Sequence, residues 1–379
     1  MLFELSEEQL MIQQAARDFA QAELKPGVIE RDEHQKFPAE QVKKLGELGF
    51  LGMMVDPKYN GSGMSAGSYV LVMEELSKVD ASASVVVSVN NSLVCYGLEA
   101  YGSEAQKEKY LKPLASGEKI GAFCLSEPEA GSDATSQQTT AEDMGDYYLL
   151  NGTKNWITNG NTASTYLVIA QTHRELKHKG INAFIVEKGM PGFSVGPKEN
   201  KLGIRGSDTH SLMFNDVKVP KENRIGEDGF GFKFAMKTLE GGRIGIAAQA
   251  LGIAAGAYEL ALDYAKQRKS FGKPIAEHQA IAFKLADMAT QIEAARMLVY
   301  KAAWLKDQGR SYTLAGSMAK LFASKVAMEV TVEAVQIHGG YGFVKEYHVE
   351  RMMRDAKITQ IYEGTSEIQK MVIGRSILG

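Results

Sequence analysis

A carboxylate near the C-terminus has the setting of a general base. It lies in the segment YEGTS (362–366), after the apolar residues Ile358 and Ile361. Apolar neighbours disfavour the charged form of Glu363 and raise its pKa, which suits proton abstraction. Gly364 permits a positive φ and a close approach of a ligand to the backbone. The alternative is an exposed glutamate in a joint between two helices, and the pentad alone favours that alternative.

Three further segments have the chemistry to bind a large phosphate-bearing cofactor. The segment LSEPEAGSD (125–133) offers hydroxyls, a glycine and free backbone N–H groups, which suit an anion or the edge of a ring. The segment KQRKSFG (266–272) places cations at a helix end, and a guanidinium there could bind a pyrophosphate. The segment QIHGGYG (336–342) has more glycines than a helix end needs. A polar turn and simple compensation of the helix dipole remain open for the first two segments.

Two other glycine patterns fail on their context. The segment GFSVG (192–196) matches a nucleophile elbow, but Pro197 and polar residues follow where a helix should begin, so a serine at a strand edge is expected. The segment GSG (61–63) matches part of a dinucleotide fingerprint without a strand directly before it, so it is interpreted as a surface loop. The seven histidines show no paired ligand spacing, and no metal site is predicted.

The composition is that of an ordinary globular protein of two or three domains. The chain has 379 residues, of which 44% are hydrophobic and 23% charged. Its net charge of −3 gives no electrostatic reason to expect binding to nucleic acid or to an anionic membrane. Cys95 and Cys124 have apolar neighbours and are interpreted as reduced core thiols. The start MLFELSEEQL has no targeting pattern and no apolar run reaches membrane-spanning length, so a cytoplasmic protein, or the mature form of an imported one, is expected.

The pattern of apolar and turn residues changes twice along the chain. It predicts a helical domain over 1–120, a β domain over 121–228 and a helical domain over 229–379. The Asn151-Gly152 pair predicts a hairpin between strands Tyr147–Leu150 and Lys154–Ile157. Small residues between 245 and 256 fit close helix packing. The other predicted helices are Ala39–Leu48, Ala66–Ser77, Ser82–Tyr101, Ser103–Ser116 and Thr313–Ile337, the last with Leu314, Met318, Leu321, Phe322, Val326 and Val330 on one face; the other predicted strands are Ile120–Leu125, Tyr166–Ala170, Ala183–Val186 and Ser211–Phe214.

Two helix starts are marked by capping residues. Ser6 with Gln9 forms a capping box before the first amphipathic helix. Thr365 or Ser366 can cap the last helix, where Gln369 would complete a capping box with Ser366.

The combination of motifs, in this order, resembles the acyl-CoA dehydrogenase family over essentially the whole chain. The resemblance implies a multidomain α+β protein with an N-terminal α-helical domain, a middle antiparallel β-barrel domain and a C-terminal four-helix bundle. It also implies FAD bound between the β domain and the bundle, in a homotetramer built as a dimer of dimers. The motifs are LSEPEAGSD (125–133), NWITNG (155–160), LEGGRIGIAAQ (239–249), QRKSFGKPI (267–275), QIHGGYGF (336–343) and IYEGTSEIQ (361–369).

The implied activity is α,β-dehydrogenation of a fatty acyl-CoA thioester to a trans-2-enoyl-CoA. Glu363 would remove the α-proton while the β-hydrogen leaves as hydride to flavin N5. The backbone N–H of Glu363 and a ribityl hydroxyl of FAD would polarise the thioester carbonyl, where enolate charge develops. Electrons would then pass to an electron-transferring flavoprotein.

The resemblance also implies roles for residues outside the base. Glu240, Arg243 and Gly364 would contact the CoA substrate, and Ser132 would contact either its CoA portion or the cofactor. The residues implied in FAD binding are Phe123, Leu125, Ser126, Trp156 and Thr158 around the flavin ring, Arg268, Phe271, Gln279, Gln336, Gly339 and Gly340 toward the FAD of a neighbouring subunit, and Thr365 and Glu367.

Some branches of the family place the base just before the helix arginine instead. In this chain that position is Gly242, so Glu363 is the expected base. The segment SVNNSL (88–93) is similar to that of butyryl-CoA dehydrogenases and is expected near the floor of the acyl pocket, which favours short-chain substrates. A short branched-chain substrate, an acyl-CoA oxidase and a non-catalytic FAD- or CoA-binding protein are the alternatives.

Overall fold

A computed structural model describes residues 4–379 and begins with a helical region. The Ser6 hydroxyl accepts the backbone N–H of Gln9, and the Gln9 side chain accepts the N–H of Ser6, so the predicted capping box is confirmed. The helices are α1 (Glu7–Phe19), α2 (Val28–Glu33), α3 (Ala39–Glu47), α4 (Ala66–Ser77), α5 (Ala81–Ser88), α6 (Tyr96–Tyr101), α7 (Glu104–Gln106) and α8 (Lys112–Ala115), with π-helical segments at Ala20–Leu24, Val89–Cys95 and Lys107–Leu111.

Two helical stretches are long and apolar enough to cross a membrane, contrary to the expectation from the sequence. They are Ala81–Tyr101 and Gly231–Gln267. Their most apolar windows are 94% and 83% buried inside the protein, as in the central helices of a folded core.

The middle region is one mixed sheet in the order β6-β7-β3-β2-β4-β5-β8, with β1 paired to β4. Most neighbours are antiparallel, as predicted, but β1 and β2 run parallel to β4. Ser194 lies in the edge strand β6, as expected from its failed motif. The strands are β1 (Gly121–Cys124), β2 (Thr140–Asp143), β3 (Tyr147–Thr158), β4 (Thr165–Gln171), β5 (Ile181–Glu187), β6 (Phe193–Lys198), β7 (Thr209–Pro220) and β8 (Arg224–Ile225).

The predicted hairpin at Asn151-Gly152 is wrong, because β3 continues through both residues as one strand of 12 residues. The register with β7 shifts between Leu150 and Gly152, so the pair forms a β-bulge. The Asn151 amide donates to Asp216 Oδ1 and its oxygen accepts the N–H of Asp216, which fixes the bulge across the two strands. A Cβ on Gly152 would lie 2.6 Å from Thr139 Oγ1, so the glycine serves close packing here.

The C-terminal region consists of long helices around α9. Residues of α9 pack closely on α4 through glycines: a Cβ on Gly252 would lie 2.4 Å from the carbonyl oxygen of Glu74, and one on Gly256 would lie 2.3 Å from that of Lys78. The predicted role of the small residues is confirmed. The remaining helices and strands are α9 (Gly231–Gln267), β9 (Lys269–Ser270), β10 (Lys273–Pro274), α10 (Gln279–Asp307), α11 (Thr313–His338), α12 (His348–Ile358) and α13 (Ser366–Leu378).

Helix α11 exists as predicted, but its buried face differs from the apolar face read from the sequence. Met318 is 36% exposed, whereas Ser317, Lys320 and Ser324 are fully buried. Two of these polar residues, Ser317 and Lys320, contact residues of the site described below, and a search for apolar periodicity does not detect them.

The close contact between α9 and α4 predicts a strong effect of a single methyl group. Gly252→Ala should lower the free energy of unfolding by about 1–3 kcal/mol, because the new Cβ would overlap the Glu74 carbonyl. Gly374→Ala in α13 is the matched control: nothing lies within 4 Å of its Cβ, and removing a helical glycine should be neutral or stabilising by about 0.5–1 kcal/mol. Thermal or urea unfolding measures both, and equal effects would contradict the packing argument.

Candidate active site

Glu363 lies in the short turn between α12 and α13, with an unusual backbone conformation. Its φ is +51°, and Gly364 follows with a φ of +94°. A left-handed non-glycine residue is strained and persists only where its surroundings fix it. Thr365 caps α13 by accepting the N–H of Ile368, so the choice between two capping residues falls on Thr365.

The predicted capping box of Ser366 and Gln369 is wrong. The buried Gln369 side chain points back into the turn, where Nε2 donates to the carbonyl oxygens of Gly364 at 3.0 Å and Glu363 at 3.4 Å. Gln369 therefore fixes the conformation of the turn rather than the start of the helix.

The Glu363 carboxylate is buried, and neither oxygen has a hydrogen-bond partner among residues 4–379. Burial raises the pKa of Glu363 to about 7, although the charges of Lys320 and Arg243 oppose that rise. A carboxyl group with a pKa near neutrality alternates readily between acid and base. The raised pKa predicted from the apolar neighbours of Glu363 is therefore found. The alternative of an exposed glutamate between two helices does not apply.

Helix α9 passes directly beside this carboxylate at Gly242. A Cβ on Gly242 would lie 2.0 Å from Glu363 Oε2, so only glycine leaves room for the glutamate. A base at position 242 and a base at position 363 would thus occupy the same space. The residue before Arg243 must therefore be glycine if the Glu363 carboxylate is to lie where it does.

The segment SVNNSL (88–93) lies against the same helix, but its residues have two different roles. The Leu93 side chain would be 2.8 Å from a Cβ on Gly242, and Ser88 Oγ accepts the Tyr69 hydroxyl at 3.3 Å close to Gly245. Asn90 and Asn91 instead bond backbone groups of the segment 50–53, of α8 and of β1. Ser88 and Leu93 therefore border the carboxylate side, and the asparagines hold the surrounding backbone.

The end of β1 and the loop after it form a second wall, because Phe123 and Leu125 share a hydrophobic cluster with Leu93, against which Tyr362 packs. Phe123 and Leu125 are each 9% exposed, and Ser126 is half-buried. Strand β3 is joined to this wall, because the Asn155 N–H donates to the Ser126 carbonyl oxygen at 2.9 Å. Lys154 is fully buried and its Nζ donates to the Leu125 carbonyl oxygen at 3.1 Å.

Trp156 stands out from this wall at an irregularity of β3. The register with β7 shifts between Lys154 and Ile157, and Trp156 has a φ of +57°. Its side chain is 59% exposed, which is unusual for tryptophan and leaves a broad aromatic face open to a planar ligand. Thr158 follows, half-buried and paired with Thr209 of β7.

A separate group of candidate residues lies on an outer surface. Phe271, in the turn between β9 and β10, is 95% exposed with a φ of +51°. The Arg268 guanidinium lies 5.4 Å from the Tyr341 ring centroid, which joins this turn to the segment after α11. Gln279 at the start of α10, Gln336 near the end of α11, and Gly339 and Gly340 directly after α11 are also exposed. Nothing lies within 4 Å of a Cβ on either glycine.

The residues implied in substrate binding are divided between buried and exposed positions. Arg243 is 7% exposed and donates to Ser317 Oγ at 3.3 Å, and burial lowers its pKa. Glu240, one turn before it, is half-buried beside Lys237. Ser132 and Glu367 are exposed, and no contact among the described residues brings Ser132 to the carboxylate.

The fit of these residues to a flavin is supported by one open polar group and one open aromatic face. The backbone N–H of Glu363 has no acceptor within residues 4–379, although it adjoins the buried carboxylate. Trp156 supplies an exposed indole beside the Ser126 backbone. A planar ring between apolar and polar walls matches these features.

Reading the sequence missed three buried residues of the site: Lys320, Tyr69 and Gln249. Lys320 Nζ donates to the Gly364 carbonyl oxygen, and the Tyr362 hydroxyl donates to Gln249 Oε1. The only signal for Lys320 in the sequence is a charged residue among small residues, in a helix whose pattern otherwise predicts an apolar face.

Comparison with protein families covers nearly the whole chain. Residues 6–118 match the acyl-CoA dehydrogenase N-terminal domain, residues 122–217 match the middle domain and residues 229–378 match the C-terminal domain.

Two relatives indicate the range of related activities. A protein of Clostridium acetobutylicum described as acyl-CoA dehydrogenase, short-chain specific, is 54% identical over 99% of both chains. A protein of Acetobacterium woodii described as caffeyl-CoA reductase–Etf complex subunit CarC is 50% identical over 98% of this chain and 99% of that one.

Solved structures agree with the fold over its whole length. Butyryl-CoA dehydrogenase from Megasphaera elsdenii superposes with a TM-score of 0.98 at 52% identity, covering 100% of both chains. A chain from a structure on the electron transferring flavoprotein of Acidaminococcus fermentans has a TM-score of 0.99 at 53% identity, covering 100% of both chains. PigA with FAD and proline has a TM-score of 0.96 at 32% identity, covering 100% of this chain and 99% of that one.

The contact between Gly242 and Glu363 predicts a selective loss of activity. Gly242→Ala should displace the carboxylate and slow substrate oxidation by about a hundredfold, because small misplacements of a reacting group are costly. Gly241→Ala is the matched control, since its nearest neighbour would lie at an ordinary 3.7 Å. Single-turnover kinetics and visible absorbance compare the two, and equal rates would contradict the proposed crowding.

Proposed function

Because the chain belongs to the acyl-CoA dehydrogenase family, and is an enzyme of that kind, we propose that it oxidises a short-chain acyl-CoA to the trans-2-enoyl-CoA with Glu363 as the α-proton acceptor. The observation that carries this proposal is the buried Glu363 carboxylate, which has no hydrogen-bond partner within residues 4–379 and a pKa raised to about 7.

Glu363 is suited to remove a proton from a carbon acid. Its carboxylate makes no hydrogen bond among the described residues that substrate would have to break, and burial strengthens it as a base relative to an exposed glutamate. The N–H of Glu363, which has no acceptor within residues 4–379, would donate to the thioester carbonyl oxygen, where negative charge accumulates as the α-proton leaves. One residue thus supplies both the base and a donor for the developing oxyanion.

FAD fits the two walls around Glu363, and when bound it would accept the β-hydrogen as hydride. Phe123, Leu125, Ser126, Trp156 and Thr158 would hold its ring. Thr365 and Glu367 would complete the cofactor site. The residues proposed to contact the FAD of a neighbouring subunit are Arg268, Phe271, Gln279, Gln336, Gly339 and Gly340. These six residues are exposed in the single chain, which supports a homotetramer in which two subunits share each cofactor site.

The preference for a short chain rests on relatives and on local packing. The Clostridium relative is described as short-chain specific, and the Megasphaera structure is of butyryl-CoA dehydrogenase. Ser88, Leu93 and Tyr69 fill the space beside α9 near the carboxylate, which favours a small acyl group. Glu240 and Arg243 are proposed to contact the CoA portion, with Gly364 at the thioester and Ser132 at the CoA portion or the cofactor.

The proposed electron acceptor is an electron-transferring flavoprotein. Two relatives are linked to such proteins: the caffeyl-CoA reductase–Etf subunit and the chain from the Acidaminococcus structure. An oxidase is distinguished by aerobic turnover without an added acceptor, for which we expect a negligible rate.

Anaerobic titration with butyryl-CoA, followed through the visible flavin absorbance, tests the reaction directly. The wild-type protein should be bleached, and Glu363→Gln should keep its colour but lose nearly all reduction, because an amide cannot accept the proton. Glu118→Gln, an exposed glutamate in the N-terminal region, is the control and should behave as the wild type. Full reduction of the flavin in Glu363→Gln would refute the mechanism. Repeating the titration of the wild-type protein with octanoyl-CoA and isobutyryl-CoA compares the rates of flavin reduction and so measures the preference for chain length and branching.

The pH dependence of flavin reduction gives an independent check. Glu363 must be deprotonated to act, and its pKa is raised from 4.5 to about 7, so the rate should rise between pH 6 and pH 8. An ordinary glutamate would already be ionised over this range, and a flat profile would show that Glu363 is not the titrating base.

A further inference from the structure

Lys320 is a buried cation that the proposed mechanism leaves without a role. It lies about two turns from the start of α11 and is fully buried, and its Nζ donates to the carbonyl oxygen of Gly364. A lysine is rarely buried without a paired carboxylate, because desolvation of the ammonium is costly. Within residues 4–379 its hydrogen bond is to the residue directly after Glu363, so its position is tied to the base.

The Gly364 carbonyl is held from two sides. Gln369 Nε2 donates to it at 3.0 Å from α13, and Lys320 donates from α11. Both donors are fully buried. Gln369 Nε2 also donates to the Glu363 carbonyl oxygen at 3.4 Å, so the peptides on both sides of Gly364 are held. Together these contacts fix the left-handed backbone that aims the Glu363 side chain at Gly242.

Lys320 also contributes charge to this part of the site. The charged groups that act on it are Glu363, Arg243 and the exposed Glu367, while Glu363 is affected by Lys320 and Arg243. The buried phenols of Tyr69 and Tyr362 adjoin Glu363, and burial raises the pKa of each, so both are neutral. Arg243 is fixed through Ser317, one turn before Lys320, so α11 anchors both cations.

We propose that Lys320 is a positioning residue for the dehydrogenation, which holds the Glu363–Gly364 turn and keeps a positive charge beside the carboxylate. The inference rests on the proposed role of Glu363. Loss of the charge should leave the carboxylate protonated at neutral pH, because the remaining cation, Arg243, would have to offset its burial alone.

The charge on Lys320 is itself dependent on pH. Burial lowers the pKa of Lys320 to about 8, so the wild-type protein loses this charge at higher pH. A variant without the charge should therefore be slower than the wild type by a factor that is largest at and below pH 7 and that falls toward one near pH 9. A residue that only filled space would change the rate by the same factor at every pH.

The experiment compares holoenzymes of four variants. Lys320→Met removes charge and donor, Lys320→Gln keeps a donor without charge, and Lys320→Arg keeps both. Lys325→Met, at an exposed position of the same helix, is the control. Flavin reduction by butyryl-CoA is measured from pH 6 to pH 9, with flavin absorbance and thermal unfolding as measures of integrity.

We expect Lys320→Met and Lys320→Gln to raise the midpoint of the pH profile by about one unit, as for loss of a nearby opposite charge, and therefore to lower the rate at pH 7 roughly fivefold. Lys320→Arg should restore the midpoint and Lys325→Met should leave it unchanged. A wild-type midpoint in both neutral variants would overturn the proposal; if Lys320→Met fails to bind FAD, Lys320→Gln decides.

A second readout avoids turnover. Infrared spectra of each protein are compared, over the same pH range, with those of its counterpart carrying Glu363→Gln. The difference isolates the Glu363 carboxyl band, and the midpoint of its titration should move upward in the neutral variants. An unmoved carboxyl band would overturn the proposal. Failure of the proposed function is recognised separately, because the wild-type holoenzyme would then not be reduced by butyryl-CoA at any pH, and both inferences would fall.

Discussion

Burial of one unpaired carboxylate is the constraint on which the site depends. Both oxygens of Glu363 are withdrawn from water without a hydrogen bond among the described residues, a situation that costs free energy. The charge is offset at a distance by Lys320 and Arg243, and the space is limited by Gly242. A base with a pKa near neutrality results from a balance: burial alone would leave it protonated, and a direct ion pair would leave it too weak.

The scaffold maintains that balance through one helix. Helix α9 has glycines at 252 and 256 that bring α4 into close contact, and further glycines at 242 and 245 that admit Glu363 and the Tyr69–Ser88 pair. A single stripe of small residues therefore both packs the core and forms one side of the site. The strain of the Glu363 turn is borne by the long helices α11 and α13, which supply Lys320 and Gln369.

Local patterns predicted the regular elements well and the irregular ones badly. Helix Ala66–Ser77 and the Ser6 capping box were predictable because propensity, capping and burial agree there. The Asn151-Gly152 bulge was not, because the pair meets the local requirements of a turn and only its partner strand decides otherwise. Lys320 was missed because its partner is the backbone carbonyl of a turn far away in sequence, and such a contact leaves no periodic signal. Gln369 was noticed but given the wrong role, because the capping-box spacing does not reveal that its side chain turns back to the Gly364 carbonyl.

The two buried lysines of the site show how the same contact can have different electrostatic consequences. Lys154 and Lys320 each donate to a backbone carbonyl beside a functional segment, at Leu125 and Gly364. Lys154 is also paired with the buried Glu127 at 2.6 Å, so its charge is neutralised where it stands and it acts as a structural tie. Lys320 has no such partner among the described residues, and its field falls on Glu363. On the side of Leu125 the buried positive charge is therefore offset by its own carboxylate, whereas on the side of Glu363 it acts on the proposed base.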